Sequence, residues 1–232
     1  MTKDLTTIDK YAIMNPDTNV VDVINLNLGG ESLSIGDLDH IKTPVAGSLM
    51  WSLPSTAGEE NVKEFEAIII HSQIQRTFWA SEFSGGGSPP DCFSNDATTG
   101  IGDPGGQCSK CPNNEYGSSK GGSGRGKACS TKRIMFIVRP NSLLPTILRV
   151  PVGSLKNSRK YLQGLSSENK RFFSVVTKIG LEKDKNQDQI EFSKMTFASV
   201  GAVDDITAIE AYREAIMPYL KQAASTIDPG EI

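Results

Sequence analysis

One stretch of this 232-residue chain constrains the rest: all four cysteines fall between Cys92 and Cys129, and 12 of the 22 glycines fall between Gly85 and Gly126. A segment so poor in apolar side chains cannot order itself by burying a hydrophobic face, so its order needs local hydrogen bonds or a bound ion. The cysteine spacing is Cys92-x15-Cys108-x2-Cys111-x17-Cys129. A Cys-x-x-Cys turn offers two thiolates to one tetrahedral ion from a single knuckle, and two more sulfurs at loop distance close the coordination sphere. No run approaches the roughly 18 apolar residues of a membrane span, and the first residues lack the apolar core of a secretory signal. The chain therefore reads as cytoplasmic, where disulfides rarely persist. The expectation is one structural Zn2+ on Cys92, Cys108, Cys111 and Cys129. Four free thiols, or a disulfide pair in oxidised protein, is the alternative.

The same residues argue against catalysis. Zinc nucleobase deaminases carry His-x-Glu followed by Pro-Cys-x-x-Cys, whereas here Gln107 precedes Cys108 and His71 is followed by Ser72-Gln73. With only two histidines, His40 and His71, there is little material for a metal-water site or a Ser-His-Asp triad, and both read as surface or packing residues. Gly121 to Lys127 is glycine-rich, but Ala128 follows Lys127 where a phosphate-binding loop needs Ser or Thr. The chain is expected not to be an enzyme.

Charge is unevenly spread. From Lys110 to Arg139 seven basic residues face one acid, Glu115, a local charge of +6 on a chain of net charge -3. A basic segment on an acidic background suits contact with a polyanion. Single-stranded nucleic acid is held by cations along the phosphates and aromatic faces against the bases. The candidates for the first role are Lys120, Arg125, Lys127, Lys132 and Arg133, with Lys156, Arg159 and Lys160 as a second cluster. The candidates for stacking are Tyr116, Trp51 and Trp79.

Residues 1 to 19 read as a polar lead-in. Val20, Ile24, Leu26 and Leu28 share one parity and suggest a strand; 31 to 54 reads as loop and short strand. Val62 to Ile70 predicts a strand leading through His71 toward Phe78-Trp79. Ile134 to Val138 and Thr146 to Val152 predict two more. Ser154 suits the N-cap of a short helix with Leu155, Leu162 and Leu165 near one face. Phe172 to Glu182 and Gln189 to Val200 predict a long antiparallel hairpin, and Ile206, Ile209, Tyr212, Ile216 and Leu220 a terminal helix capped by Asp204 or Asp205, which Pro218 should kink or shorten. The expected fold is mainly β with few helices, an antiparallel OB-like barrel or a sandwich. Its β core comprises 1–84 and 131–203, the zinc-binding insertion 85–130, and the C-terminal helix and tail 204–232.

The strings Pro89-Pro90-Asp91-Cys92-Phe93-Ser94-Asn95-Asp96, Pro104 through Ser118 and Gly126-Lys127-Ala128-Cys129 resemble a four-cysteine family of bacteriophage and prophage proteins. Ser154-Leu155-Lys156-Asn157, Arg159-Lys160-Tyr161-Leu162 and Val175 to Lys183 are similar to the same family downstream, over about 38–200 in all. Some members are labelled single-stranded DNA-binding proteins with an OB-like core. The resemblance implies a phage or mobile-element accessory of DNA replication or recombination, with single-stranded DNA and phage replication or recombination proteins as partners. With no apolar run long enough to span a bilayer, no membrane partner is expected, and a homo-oligomer is possible. The alternative is a zinc-ribbon adaptor that binds a host or phage protein, such as RNA polymerase or a replication or defence enzyme, without DNA.

Overall fold

A computed structural model describes residues 11–14, 19–31, 33, 35–45, 47–81, 89–119, 126–186 and 189–225. Strands dominate: β1 (His40–Ile41), β2 (Trp51–Ser55), β3 (Gly58–Val62), β4 (Phe65–Phe78), β5 (Cys92–Ser94), β6 (Thr99–Gly102), β7 (Gly106–Gln107), β8 (Ser130–Val138), β9 (Thr146–Val150), β10 (Val175–Lys185) and β11 (Glu191–Ala202). Three α-helices accompany them among the described residues: α1 (Val20–Asn27), α2 (Leu155–Ser167) and α3 (Ile206–Ser225). The mainly β class stands.

The 14-residue strand β4 organises the sheet. Its length lets it exchange neighbours: β8 pairs with it over Ile68 to Thr77, β10 over Phe65 to Ala67, and β5 over Arg76 to Phe78. The path β1-β9-β8-β4-β5-β6-β7 ends in two-residue strands at both edges, and the β10–β11 hairpin branches from the start of β4. Only β1 and β9 run parallel among the described pairs. The sheet is open and mixed and is covered on both sides, so the antiparallel OB-like barrel, one of the two expected architectures, is not present as a closed barrel.

Alternation along β8 assigns the two faces. Ile134, Phe136 and Val138 join Ile68 and Ile70 in a core completed by α1, α3, Tyr11 and Ile13. Met135 and Ile137 join Ala67 and Ile69 in a second core completed by Trp51, Leu53, Ile179 and Met195, with Leu155, Tyr161 and Leu162 of α2 against it. Tyr11 and Ile13 are buried, so the end of the polar lead-in contributes to the first core.

Three local expectations need correction. Val20 to Leu28 is a helix: the Asn19 side chain accepts the amides of Val21 and Asp22, and Val20 and Ile24, four residues apart, are the buried pair, while Leu26 is 82% exposed. Ser154 does precede α2, but its hydroxyl accepts the Met195 amide (2.9 Å) across to β11 and does not cap the helix. α3 is not shortened by Pro218 but runs on to Ser225; both Pro218 and Glu214, the carbonyl it deprives of a donor, are exposed, so water can serve that carbonyl. Asp205, one of the two cap candidates, accepts the amides of Thr207 and Ala208.

Candidate metal centre and nucleic-acid interface

The cysteine segment extends the sheet. In β5, Cys92 pairs with Phe78; on the other side of β4, Ser130 pairs with Thr77, which puts Cys129 just beyond it. Cross-strand partners share a face, so Cys92 and Cys129 project from the same side of the sheet, flanking the end of β4. The third and fourth thiols come from the turn after β7. The Cys108 amide bonds Thr98 (2.9 Å) and the Lys110 amide bonds Gln107 (3.1 Å), which curls Cys108 to Cys111 into a knuckle. Asn114 locks it, its side chain donating to the Cys108 carbonyl (2.8 Å) and its amide to that of Cys111 (3.0 Å). The Cys129 amide then bonds Asn113 (2.8 Å), which ties the returning chain to the knuckle.

All four thiols line one pocket with about 10 Å³ of free space, the scale of a single water or ion. All four are reduced; Cys108 and Cys129 are buried, Cys92 and Cys111 half-buried. The backbone is shaped to this pocket: a Cβ on Gly100 would fall 2.9 Å from the Cys92 sulfur, and one on Gly102, at φ +103°, would strike the Asp91 carbonyl at 2.1 Å. Burial pushes the Cys92 and Cys129 thiols up, opposed at Cys92 by a hydrogen bond from the Gly105 amide and at Cys129 by the charge of Arg76. Among the described residues no three His, Cys, Asp or Glu side chains already stand in a geometry that holds an ion. The thiols border a common pocket without being drawn onto one point. Four soft thiols, with no carboxylate lining the pocket, suit tetrahedral zinc.

Of the cations singled out, Lys120 and Arg125 lie outside the described residues. Lys132 and Arg133 are adjacent in β8 and therefore face opposite ways. Lys132 shares its face with Gln75, its partner on β4, and with Arg149 of β9, which pairs with Ile134 one step along. Burial lowers the pKa of Lys132, and Arg149 lowers it further; burial also lowers that of Arg149. Neither has a carboxylate partner among the described residues. His40 and Lys42 continue this face at β1, where His40 has its pKa lowered by burial and then by Arg149 and Lys42. On the opposite face Arg133 donates to Ser72 (3.0 Å), and its pKa is lowered by burial and by Arg159 of α2. Lys156 and Lys160 are exposed on α2, and Lys160 lines a groove of about 450 Å³ with Glu168 and Glu182, two carboxylates that weaken its pull on an anion.

The aromatic candidates separate cleanly. Trp51 is wholly buried, edge-on to Phe65 at 5.5 Å, so it is a core residue and presents no face to a base. Trp79 is half-buried at the end of β4. Tyr116 is 83% exposed, with the Lys127 ammonium 4.6 Å from its ring centre. That ammonium also donates to Asn114 (3.2 Å), so the Lys127–Tyr116 pair is anchored to the cysteine knuckle. His71 is a packing residue, 5.8 Å from Phe136.

Two residues were missed from sequence, Arg149 and Arg76. Each is a lone charge inside an apolar or alternating run, TILRV for Arg149 and IQRTF for Arg76. A lone charge in such a run is the sequence signal for each, weaker than a cluster of charges. No family model, curated protein or solved structure matches the chain. No helix among the described residues is long and apolar enough to cross a membrane.

Proposed function

We propose that the protein is a non-enzymatic single-stranded DNA-binding protein of a phage or mobile element, acting in replication or recombination in the host cytoplasm. A structural Zn2+ on Cys92, Cys108, Cys111 and Cys129 organises the outer end of its β sheet. The observation that carries the reading is the Lys132–Arg149 pair: two half-buried cations, side by side on one sheet face, each disfavoured by burial and without an acidic partner. The ion pairs seen among the described residues lie elsewhere, in the loop after α2, on β10, β11 and α3, and at Glu64. A fold that holds like charges together without compensation is pre-organised for an anion, and a phosphate backbone supplies a row of them. Lys127 with Tyr116 provides a cation and a stacking ring at the zinc end, and Trp79 follows the end of β4. Arg133 and Arg159 serve the opposite face.

The test is binding of labelled oligonucleotides by parent protein and by Lys132→Glu with Arg149→Glu, each at two salt concentrations. The parent should bind single strands with an affinity that falls steeply with salt, and the double variant should lose about 10-fold or more and show a shallower salt dependence. Unchanged binding in the double variant, or no salt-sensitive binding by the parent, replaces this reading with the adaptor.

A further inference from the structure

The geometry points to Arg76 as the residue that holds the charge of the four-thiolate centre, a positioning cation built into the pocket wall and needed for tight zinc binding. The inference rests on the zinc reading above and adds to it a determinant outside the ligand set. Arg76 sits in β4 between Ser94 of β5 and Thr131 of β8. It is two residues before Phe78, on the face from which Cys92 and Cys129 project, and it lines the same pocket as the four sulfurs. Its Nε and Nη1 atoms are buried and have no hydrogen-bond partner among the described residues. Two buried N–H-bearing atoms without an acceptor are costly, since a buried polar group that loses water and gains no hydrogen bond is destabilising.

Four thiolates around Zn2+ carry a net charge of about -2, and in a half-buried site such a charge needs N–H donors or a cation nearby. Cys92 has the Gly105 amide beside it. The Cys129 side has Arg76, whose charge already acts on that thiol. When the four sulfurs close onto an ion, the orphaned N–H groups of Arg76 meet thiolate acceptors, and both the buried cation and the surplus negative charge are satisfied at once. None of the pocket's lining residues is acidic, so no carboxylate there competes with the thiolates for those atoms.

The test compares full-length parent, Arg76→Met, Arg76→Gln and Arg76→Lys. Zinc affinity is measured by competition with a chromophoric chelator, and the cobalt-substituted proteins are examined for the sulfur-to-metal charge-transfer band. Loss of the charge in Arg76→Met and Arg76→Gln should weaken zinc binding about 10- to 100-fold and shift the cobalt band, and Arg76→Lys should restore most of the affinity. In a Cys129→His background, where the centre carries one negative charge fewer, the effect of Arg76→Met should shrink. Equal zinc affinity and an unchanged cobalt spectrum in Arg76→Met or Arg76→Gln would overturn the assignment. If Arg76→Met fails to fold, the Gln and Lys variants carry the comparison. Absence of zinc and cobalt binding by the parent itself would instead remove the metal centre, a result readable before any variant is made.

Discussion

The β4–β8 ribbon has two halves joined in one ladder, regular in the outer half and shifted in register between Ile69 and His71 in the inner one, and the two carry opposite kinds of side chain. In the inner half, Ile68 to Ile70 and Ile134 to Val138 are at most 3% exposed and supply both hydrophobic cores. In the outer half, Ser72 to Phe78 and Ser130 to Arg133 contain only Ile74 and Phe78 as apolar residues, and the ribbon continues into the cysteine knuckle. Backbone pairing alone contributes little net stability, so the inner half stands on burial. The outer half has to rest on side-chain hydrogen bonds, on the knuckle and on whatever the four sulfurs hold.

The largest effect should come from breaking the inner half. Phe136 is fully buried in the core that the sheet shares with α1 and α3, and Phe136→Ala should cost about 3 to 5 kcal/mol of global stability in a denaturant titration. Folded Phe136→Ala should still bind zinc as the parent does, because none of its lost contacts reaches the cysteines. A second blow, aimed at the outer half, should act locally. Cys111→Ser should abolish zinc binding and speed amide hydrogen exchange in β5 to β7 and the knuckle by about 100-fold, with the amides of Ile134 to Val138 still protected. Equal acceleration in both halves would mean that they unfold as one unit, and the contrast drawn above would fail.

The two halves were also unequally legible from sequence. Apolar runs with β-branched residues announced β4, β8 and β9, and the polar break at 183–188 announced the β10–β11 hairpin, because burial imposes a periodicity that a sequence displays. α1 was misread because its four apolar residues on even positions fit a strand as well as a helix; the decisive residue was Asn19, whose cap lies outside the apolar pattern. Trp51 was misread because a loop-rich context hid a strand whose alternate residues are buried. At the candidate site the cysteine spacing was visible, as was Lys132. What could not be seen was register: that β5 and β8 flank the end of β4, that Arg76 faces the cysteines, and that Lys132 meets Arg149 while Arg133 turns away. Those facts depend on pairings between residues up to about 60 positions apart, which local pattern does not encode.

The smallest effect is also the one that best separates function from stability. Lys132 is held on the outer half with its pKa lowered by burial first and by Arg149 second, so its charged form opposes folding. Removing that charge with Lys132→Met should raise stability at neutral pH by about 0.5 kcal/mol and weaken single-strand binding, the trade expected where a site keeps strain for use. The sign with pH follows from linkage. A folded-state pKa below that of the unfolded chain means that the native protein binds fewer protons in the alkaline range, so the parent gains stability as pH rises through the folded value of Lys132 toward the unfolded value near about 10.4. Lys132→Met has no such proton to lose. Its advantage over the parent should therefore be full at neutral pH and shrink as the solution becomes alkaline, read as the difference between two denaturation midpoints across that range. A constant difference would mean that the methionine stabilises by packing alone, and that the pairing with Arg149 imposes no electrostatic cost on the fold.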